Sequence, residues 1–240
     1  MGTLTGFDTV GGDYTTHSDS ARGRLRHDVV ERRLRAELPA GSARVLDVGC
    51  GNGEMTLRLA AVGHRVTGGG PSARMLAAAA DRLAARPELA ERVRLVDADL
   101  ESLPLEGERF DAVCCHGVLM YLNESDAAVG RLAEAVAPGG LLNVLAKNHR
   151  AIGVRECLTG GHEAARQLIE SEADTSVGNL GRETHGDDPG VLDRLVAEHG
   201  LSPLPAAALE LELAASWWSP YRGRGHLVHT PARRPERSRP

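Results

Sequence analysis

The sequence predicts an α/β fold built on a doubly wound, mostly parallel sheet, and three observations carry that reading. Short apolar runs alternate along the chain with helical patterns. The first run leads directly into a glycine-rich turn and then a helix. The 240 residues, 42% apolar and 25% charged, suit one globular domain that buries roughly 70% or more of its unfolded surface.

Residues 1–20, rich in Gly, Thr and Asp, predict an arm. Leu25, Val29, Leu34 and Leu38 roughly follow helical spacing, so the first helix is expected over Arg22–Leu38, with arginines on its other face. Pro39-Ala40-Gly41-Ser42 stops it. Val45-Leu46-Asp47-Val48 is the first strand. Met55, Leu57, Leu59 and Val62 then supply a short helix ending at Gly63. Arg65-Val66-Thr67 is the second strand, and Pro71-Ser72 opens a helix carrying Met75, Leu76, Ala79, Leu83 and Ala84. Val93–Val96 and Phe110–Cys115 are the third and fourth strands. A helix over Ser125–Ala137 ends at Pro138-Gly139-Gly140, and Leu141–Leu145 is the fifth strand. Residues 150–190 show little periodicity. A helix is expected near Val191–His199, and Leu209–Leu213 and His226–Thr230 read as two more strands. Apolar strands joined by right-handed helical crossovers stack a sheet between two helix layers. Such sheets take ligands at the carboxyl ends of their strands.

Charge and composition narrow the function. Lys plus Arg is 28 against 33 for Asp plus Glu, a net charge of −5. Nucleic acid is not expected as a partner, because phosphate contact needs a basic face. The one basic stretch is the tail, where six arginines face the single acid Glu236 between Tyr221 and Pro240. No run approaches the roughly 20 apolar residues of a membrane span. Residues 1–20 lack Lys, Arg and an apolar segment, so no secretory leader is expected. Cys50, Cys114, Cys115 and Cys157 form no CxxC, and the adjacent pair should point to opposite faces of a strand. A reducing cytoplasm is therefore the expected location. No metal is expected: His226 and His229 fall on opposite strand faces, and the His162-Glu163 and His185–Asp188 groups lack ligand spacing.

The strongest signal is Val45-Leu46-Asp47-Val48-Gly49-Cys50-Gly51-Asn52-Gly53. A phosphate-binding Walker loop needs Gly-Lys-Ser/Thr, and no Lys is present. The dinucleotide fingerprint needs G-x-G-x-x-G. Here the spacing is G-x-G-x-G, with an Asp two residues before the first Gly. This resembles motif I of the class I S-adenosylmethionine-dependent methyltransferases, and the resemblance covers most of residues 42–145. Phe110-Asp111-Ala112-Val113 looks like the family's fourth strand, and Pro138-Gly139-Gly140-Leu141 like the turn into its fifth. Asp99-Leu100, ahead of Pro104, match the position that holds the adenine. The resemblance implies a Rossmann-like seven-stranded sheet whose last strand is antiparallel, with S-adenosyl-L-methionine as cofactor. It divides the chain into an arm and cap helix over 1–40 and a methyltransferase domain over 41–240, with a variable substrate insertion at about 150–190.

A narrower resemblance lies in Phe7-Asp8, Arg22–Arg26, His116–Leu119, Asn148 and His229–Pro235. These look like the bacterial tRNA 5-carboxymethoxyuridine carboxyl methyltransferases and their small-molecule relatives. In that group the arginine matching Arg26 grips the cofactor carboxylate, which suits a guanidinium fork with two parallel hydrogen bonds. The cofactor positions implied are Arg26, Asp47, Gly49, Cys50, Gly51, Gly53, Gly70, Pro71, Asp99, Leu100 and Cys115.

Two departures bear on function. Family members usually end the second strand with an acid that binds both ribose hydroxyls, and here Gly70 stands in its place. A hydrogen bond to a charged acceptor contributes about 1.5–3 kcal/mol, so its loss weakens the cofactor about 10- to 100-fold. Water or Ser72 would have to fill the gap, or the fold has been turned to elimination, cyclisation or lyase chemistry. The second departure is acidity at 156–188 and Leu209–Leu213, which favours a small-molecule acceptor, such as a secondary metabolite, over tRNA. Methyl transfer is an in-line displacement, and His116 after the fourth strand is placed to act as a base, its ordinary pKa near 6.5 suiting neutral pH. Packing beside the adenine is the alternative role for it. Tyr121 and Asn148 are candidates for shaping the pocket. Cys115 is either core or the nucleophile of a cofactor-free reaction. Trp217-Trp218 reads as a pocket cap or an oligomer contact, in a monomer or homodimer.

Overall fold

The computed structural model describes residues 14, 16, 18–38, 41–103, 107–171, 173–178, 181–204 and 227–236. The arm before residue 14, Pro104, the Leu209–Leu213 strand and the Trp217-Trp218 pair lie outside them. In chain order the elements are α1 (Ala21–Glu37), β1 (Arg44–Val48), α2 (Glu54–Ala61), β2 (Arg65–Gly70), α3 (Ala73–Ala84), β3 (Val93–Asp97), β4 (Phe110–His116), α4 (Ser125–Ala135) and β5 (Val136–Lys147). Then come α5 (Val154–Leu158), α6 (His162–Glu170), β6 (Thr175–Val177), β7 (Glu183–His185), α7 (Pro189–Glu198), β8 (Ser202–Pro203) and β9 (Leu227–Arg233).

Ser20 starts α1 by accepting the Gly23 N–H on its hydroxyl at 3.1 Å. The inward stripe of α1 is Gly23, His27, Val30, Leu34 and Leu38, whereas Leu25, expected to face the core, is 57% exposed. His27 occupies a core position because Ser18 Oγ satisfies its ring at 3.0 Å. A search for apolar periodicity skips such a histidine and so mis-phases the helix.

The sheet runs β3-β2-β1-β4-β5-β9-β8. The first five strands are parallel, and β9 runs antiparallel to both β5 and β8. Seven strands with the last antiparallel is the expected architecture. The edge strand, however, is Ser202–Pro203. Two apolar layers cover the sheet. Cys114 joins Val30, Leu34 and Leu59 on one face, while Cys115 joins Val129, Leu132 and Leu192 on the other. The adjacent cysteines do face opposite ways.

Three stretches differ from expectation. β2 continues through Gly68, Gly69 and Gly70, because close packing demands the missing side chains: a Cβ on Gly69 would stand 2.8 Å from Leu103 Cδ2, and one on Gly68 3.0 Å from Thr56 Oγ1. α4 stops at Ala135, and Val136 pairs with Phe110 across an irregular register, so the Pro-Gly-Gly turn lies inside the start of β5. Residues 150–190 fold into α5, α6 and a separate β6–β7 hairpin, pieces too short to print a period. Among the described residues no helix is long and apolar enough to cross a membrane.

Candidate functional site

The strand order reverses between β1 and β4, and the chain leaves β1 through Gly49–Gly53 at that point, where open α/β sheets bind ligands. Gly49, Gly51 and Gly53 have φ of 69°, 55° and 77°, the left-handed region that favours glycine. Each also marks a close approach. A Cβ on Gly49 would run into Val118, one on Gly51 would stand 2.9 Å from the Tyr14 ring, and one on Gly53 2.9 Å from Ala79 Cβ. The loop hangs from β2, since the Gly49 and Cys50 N–H groups both donate to Gly69 O at 2.8 and 3.0 Å.

Asp47 fastens the loop to α2. Its Oδ2 accepts the Thr56 hydroxyl at 2.6 Å. Only 2% of Asp47 is exposed, and burial pushes its carboxyl up to about 6 in spite of the Thr56 hydrogen bonds. Asn52 lies between two of these glycines at 1% exposure, and neither atom of its carboxamide finds a partner among the described residues. Each buried unpaired polar atom costs about 1–3 kcal/mol, which points to a ligand that completes it. In the sequence the glycines stand out and Asn52 between them does not. A polar side chain fixed between two obligatory glycines was the available signal.

The rim comes from distant parts of the chain. Arg26 on α1 is half-buried and makes no ion pair among the described residues. Its charge acts on His27, His116 and Tyr121, which sets it across from the end of β4. His116 Nε2–H donates to Asn143 Oδ1 at 2.8 Å, leaving Nδ1 to accept. Burial, reinforced by Arg26, pushes the His116 pKa down to about 4. That direction favours the neutral ring and a weaker base than the ordinary pKa near 6.5 led one to expect. Tyr121 closes the turn Leu119–Tyr121, its phenol raised by burial and by the nearby Tyr14. The fold therefore gathers Arg26, His116 and Tyr121 around the loop and adds Tyr14, which no motif in the sequence marks.

The other expected positions take varied places. A Cβ on Gly70 would meet nothing closer than Cys50 Sγ at 3.9 Å, so the space beside it is open. Pro71 is exposed, and the buried Ser72 caps α3 by accepting the Met75 N–H at 3.3 Å. Asp99 Oδ1 accepts the Ser102 N–H and hydroxyl at 2.8 and 2.5 Å, bonds that lower its pKa. Leu100 is core, and its carbonyl accepts from Arg131 Nε at 3.1 Å. Burial pushes the Cys50 thiol far up and that of Cys115 to about 12, so a Cys115 nucleophile at neutral pH does not fit this structure. Asn148 is buried after β5, and its Oδ1 caps a turn by accepting the Arg150 N–H at 3.0 Å.

Residues 45–140 match a family model described as a methyltransferase domain. A stretch of 112 residues is 37% identical to an uncharacterised methyltransferase of Mycobacterium bovis, covering 47% of this chain and 54% of that one. Trans-aconitate 2-methyltransferase of Paracidovorax citrulli is 36% identical over 135 residues, 55% of this chain and 48% of the relative. The chain thus spans about half the length of the curated relatives it matches. Magnesium protoporphyrin IX methyltransferase from Synechocystis, solved with bound S-adenosylhomocysteine, shares the fold at a TM-score of 0.70 and 18% identity, over 95% of this chain and 96% of that one.

Proposed function

Given that the chain has the fold of the class I S-adenosylmethionine-dependent methyltransferases, with a methyltransferase domain at residues 45–140, we propose that it transfers a methyl group from that cofactor to a small molecule. The observation that carries this reading is the glycine loop with Asn52 buried and unpaired inside it. The site fits the cofactor chemically. Asn52 offers a donor and an acceptor, Arg26 lacks an anionic partner among the described residues, and the space beside Gly70 is open. When bound, the cofactor supplies an electrophilic methyl on a positively charged sulfur.

The chain's residues do the rest. Arg26 takes a carboxylate as a bidentate partner. Asp47 and the three glycines hold the loop in one shape, and the resemblance assigns Asp99-Leu100 to the adenine. A neutral His116 would add no positive charge to a site that takes a cationic sulfonium. With its pKa near 4, it favours acceptors that need little deprotonation, such as a carboxylate or a neutral amine. Catalysis then rests on alignment, which supplies about 7–11 kcal/mol in well-oriented systems. The net charge of −5 and the relative named for trans-aconitate both support a small acceptor over a nucleic acid.

The test is thermal melting and calorimetry with S-adenosylhomocysteine. At 100 times its dissociation constant a ligand adds about 2.7 kcal/mol, or roughly 5–11 °C in Tm for a chain this size. No shift at millimolar ligand would remove the proposal. A second reading, chemistry on this fold without methyl transfer, is favoured by Gly70 alone. Turnover by protein stripped of the cofactor would establish it.

A further inference from the structure

One polar cluster at the ligand-binding end of the sheet has no part in the site above. Asp187 follows the β6–β7 hairpin directly. Its N–H donates to Lys147 O at 2.8 Å, and its carbonyl accepts the His149 N–H at 3.1 Å, so it sits just past the carboxyl end of β5. Its charge is felt at Cys115, near the carboxyl end of β4. Its place is fixed by contact: a Cβ on Gly186 would stand 2.5 Å from His149 Cα. The carboxylate is also oriented. Ser125 Oγ, at the start of α4, donates to Oδ1 at 2.7 Å, and His185 Nε2 lies 3.4 Å from that hydroxyl and 3.6 Å from Oδ1. Asp187 is only 8% exposed, yet its Oδ2 has no hydrogen-bond partner among the described residues.

A fold gains nothing from a desolvated carboxylate oxygen with no donor. Ser125 contributes a hydrogen bond and no charge, and His185, 3.6 Å from Oδ1, lies on the side of that oxygen and makes no bond to Oδ2. We propose that Asp187 anchors the acceptor, its Oδ2 receiving a hydrogen bond from an ammonium group of the small molecule, with Ser125 and His185 holding the carboxylate. This rests on the methyltransferase reading above. The ammonium group is the handle by which the acceptor is gripped. The Asn148 segment is in bridge pairing with Asp187.

The experiment uses the full chain saturated with S-adenosylhomocysteine. Saturation-transfer NMR is run with benzylamine, tyramine and putrescine as probes, and with benzyl alcohol and benzoate as controls. At least one amine is expected to bind, benzyl alcohol more weakly, and benzoate not at all. Asp187→Asn should weaken the amine at least tenfold and leave the S-adenosylhomocysteine affinity unchanged. It should also raise Tm in the absence of probe, because an amide in place of the orphan anion removes a buried charge. A merely structural Asp187, completed by a trapped water, gives a lower Tm and no change in amine binding. Ser125→Ala is the second variant and should weaken the amine by a smaller factor. Absence of amine binding by the wild type, or equal binding by wild type and Asp187→Asn, overturns the proposal. Absence of S-adenosylhomocysteine binding instead overturns the reading beneath it.

Discussion

Substituting Gly70 by Asp supplies the acid that the family resemblance leads one to expect at the end of the second strand, and the structure allows the consequence to be worked out. The position admits a side chain. Gly70 is not in the left-handed region, and its Cβ would meet only Cys50 Sγ at 3.9 Å. Its carbonyl keeps the Ala98 N–H at 3.3 Å whatever the side chain. A new carboxylate facing the two ribose hydroxyls of S-adenosylhomocysteine contributes about 1.5–3 kcal/mol, which is about 10- to 100-fold in Kd. Asp97 pairs with Gly70 across the strands, and like charges there repel by about 0.2–1 kcal/mol. That repulsion is present with and without ligand, so it cancels from the affinity and shows only in stability. Replacing glycine offsets it by about 0.4–1 kcal/mol through the unfolded chain, leaving Tm near the wild-type value. Isothermal calorimetry at fixed salt reads the affinity. Gly69→Asp serves as the contrast, since its Cβ would press on Leu103 at 2.8 Å and lower Tm. An unchanged or weaker Kd for Gly70→Asp, in a protein that melts normally, would show that this strand end does not face the sugar.

Other outcomes follow from the same geometry. The Asp47 carboxyl moves from 3.8 up to about 6, so the folded state binds the proton more tightly, and stability falls by roughly 3 kcal/mol as pH rises through that window. Asp47→Asn removes this slope in denaturant melts at pH 4 to 7. His116 has the opposite sign: its pKa drops from 6.5 to about 4, so the stability it contributes is lost as pH falls through that interval. Imidazole NMR should find it neutral above about pH 5, and a midpoint above 6 would restore it as a base. Thiol titration of the native protein should count one fast equivalent, Cys157, because Cys50, Cys114 and Cys115 are buried. Arg58 reaches Glu54 and Asp28 at 2.6 Å and Glu31 at 3.0 Å, joining α1 to α2, so Arg58→Ala should lower stability by about 1–2 kcal/mol, or about 2–8 °C. An unaltered Tm would mean that the network is solvated.

Much of the fold was legible because its signals are local. Left-handed glycines, a strand of apolar residues and a helix cap each need only their own neighbours, so β1, the loop, α2 and β4 could be placed from the chain alone. Elements whose limits are set by contact were missed. β2 runs on through Gly68–Gly70 because Leu103 and Thr56 crowd them. α1 turned because Ser18 satisfies His27. The β6–β7 hairpin formed without any period to announce it.

The candidate site divides the same way. Residue types and spacing alone picked out the Gly49–Gly53 loop as the ligand-binding turn, and it was the resemblance to a known family that drew attention to Arg26 and to Gly70. Only the tertiary structure decided which polar groups were left without partners, and in which charge state. Asn52 and Asp187 are ordinary residues in the sequence; burial makes their unpaired atoms conspicuous. His116 is an ordinary histidine until the fold removes its water and sets Arg26 nearby. Desolvation depends on everything that surrounds an atom, and those surroundings come from strands and helices far apart in the chain.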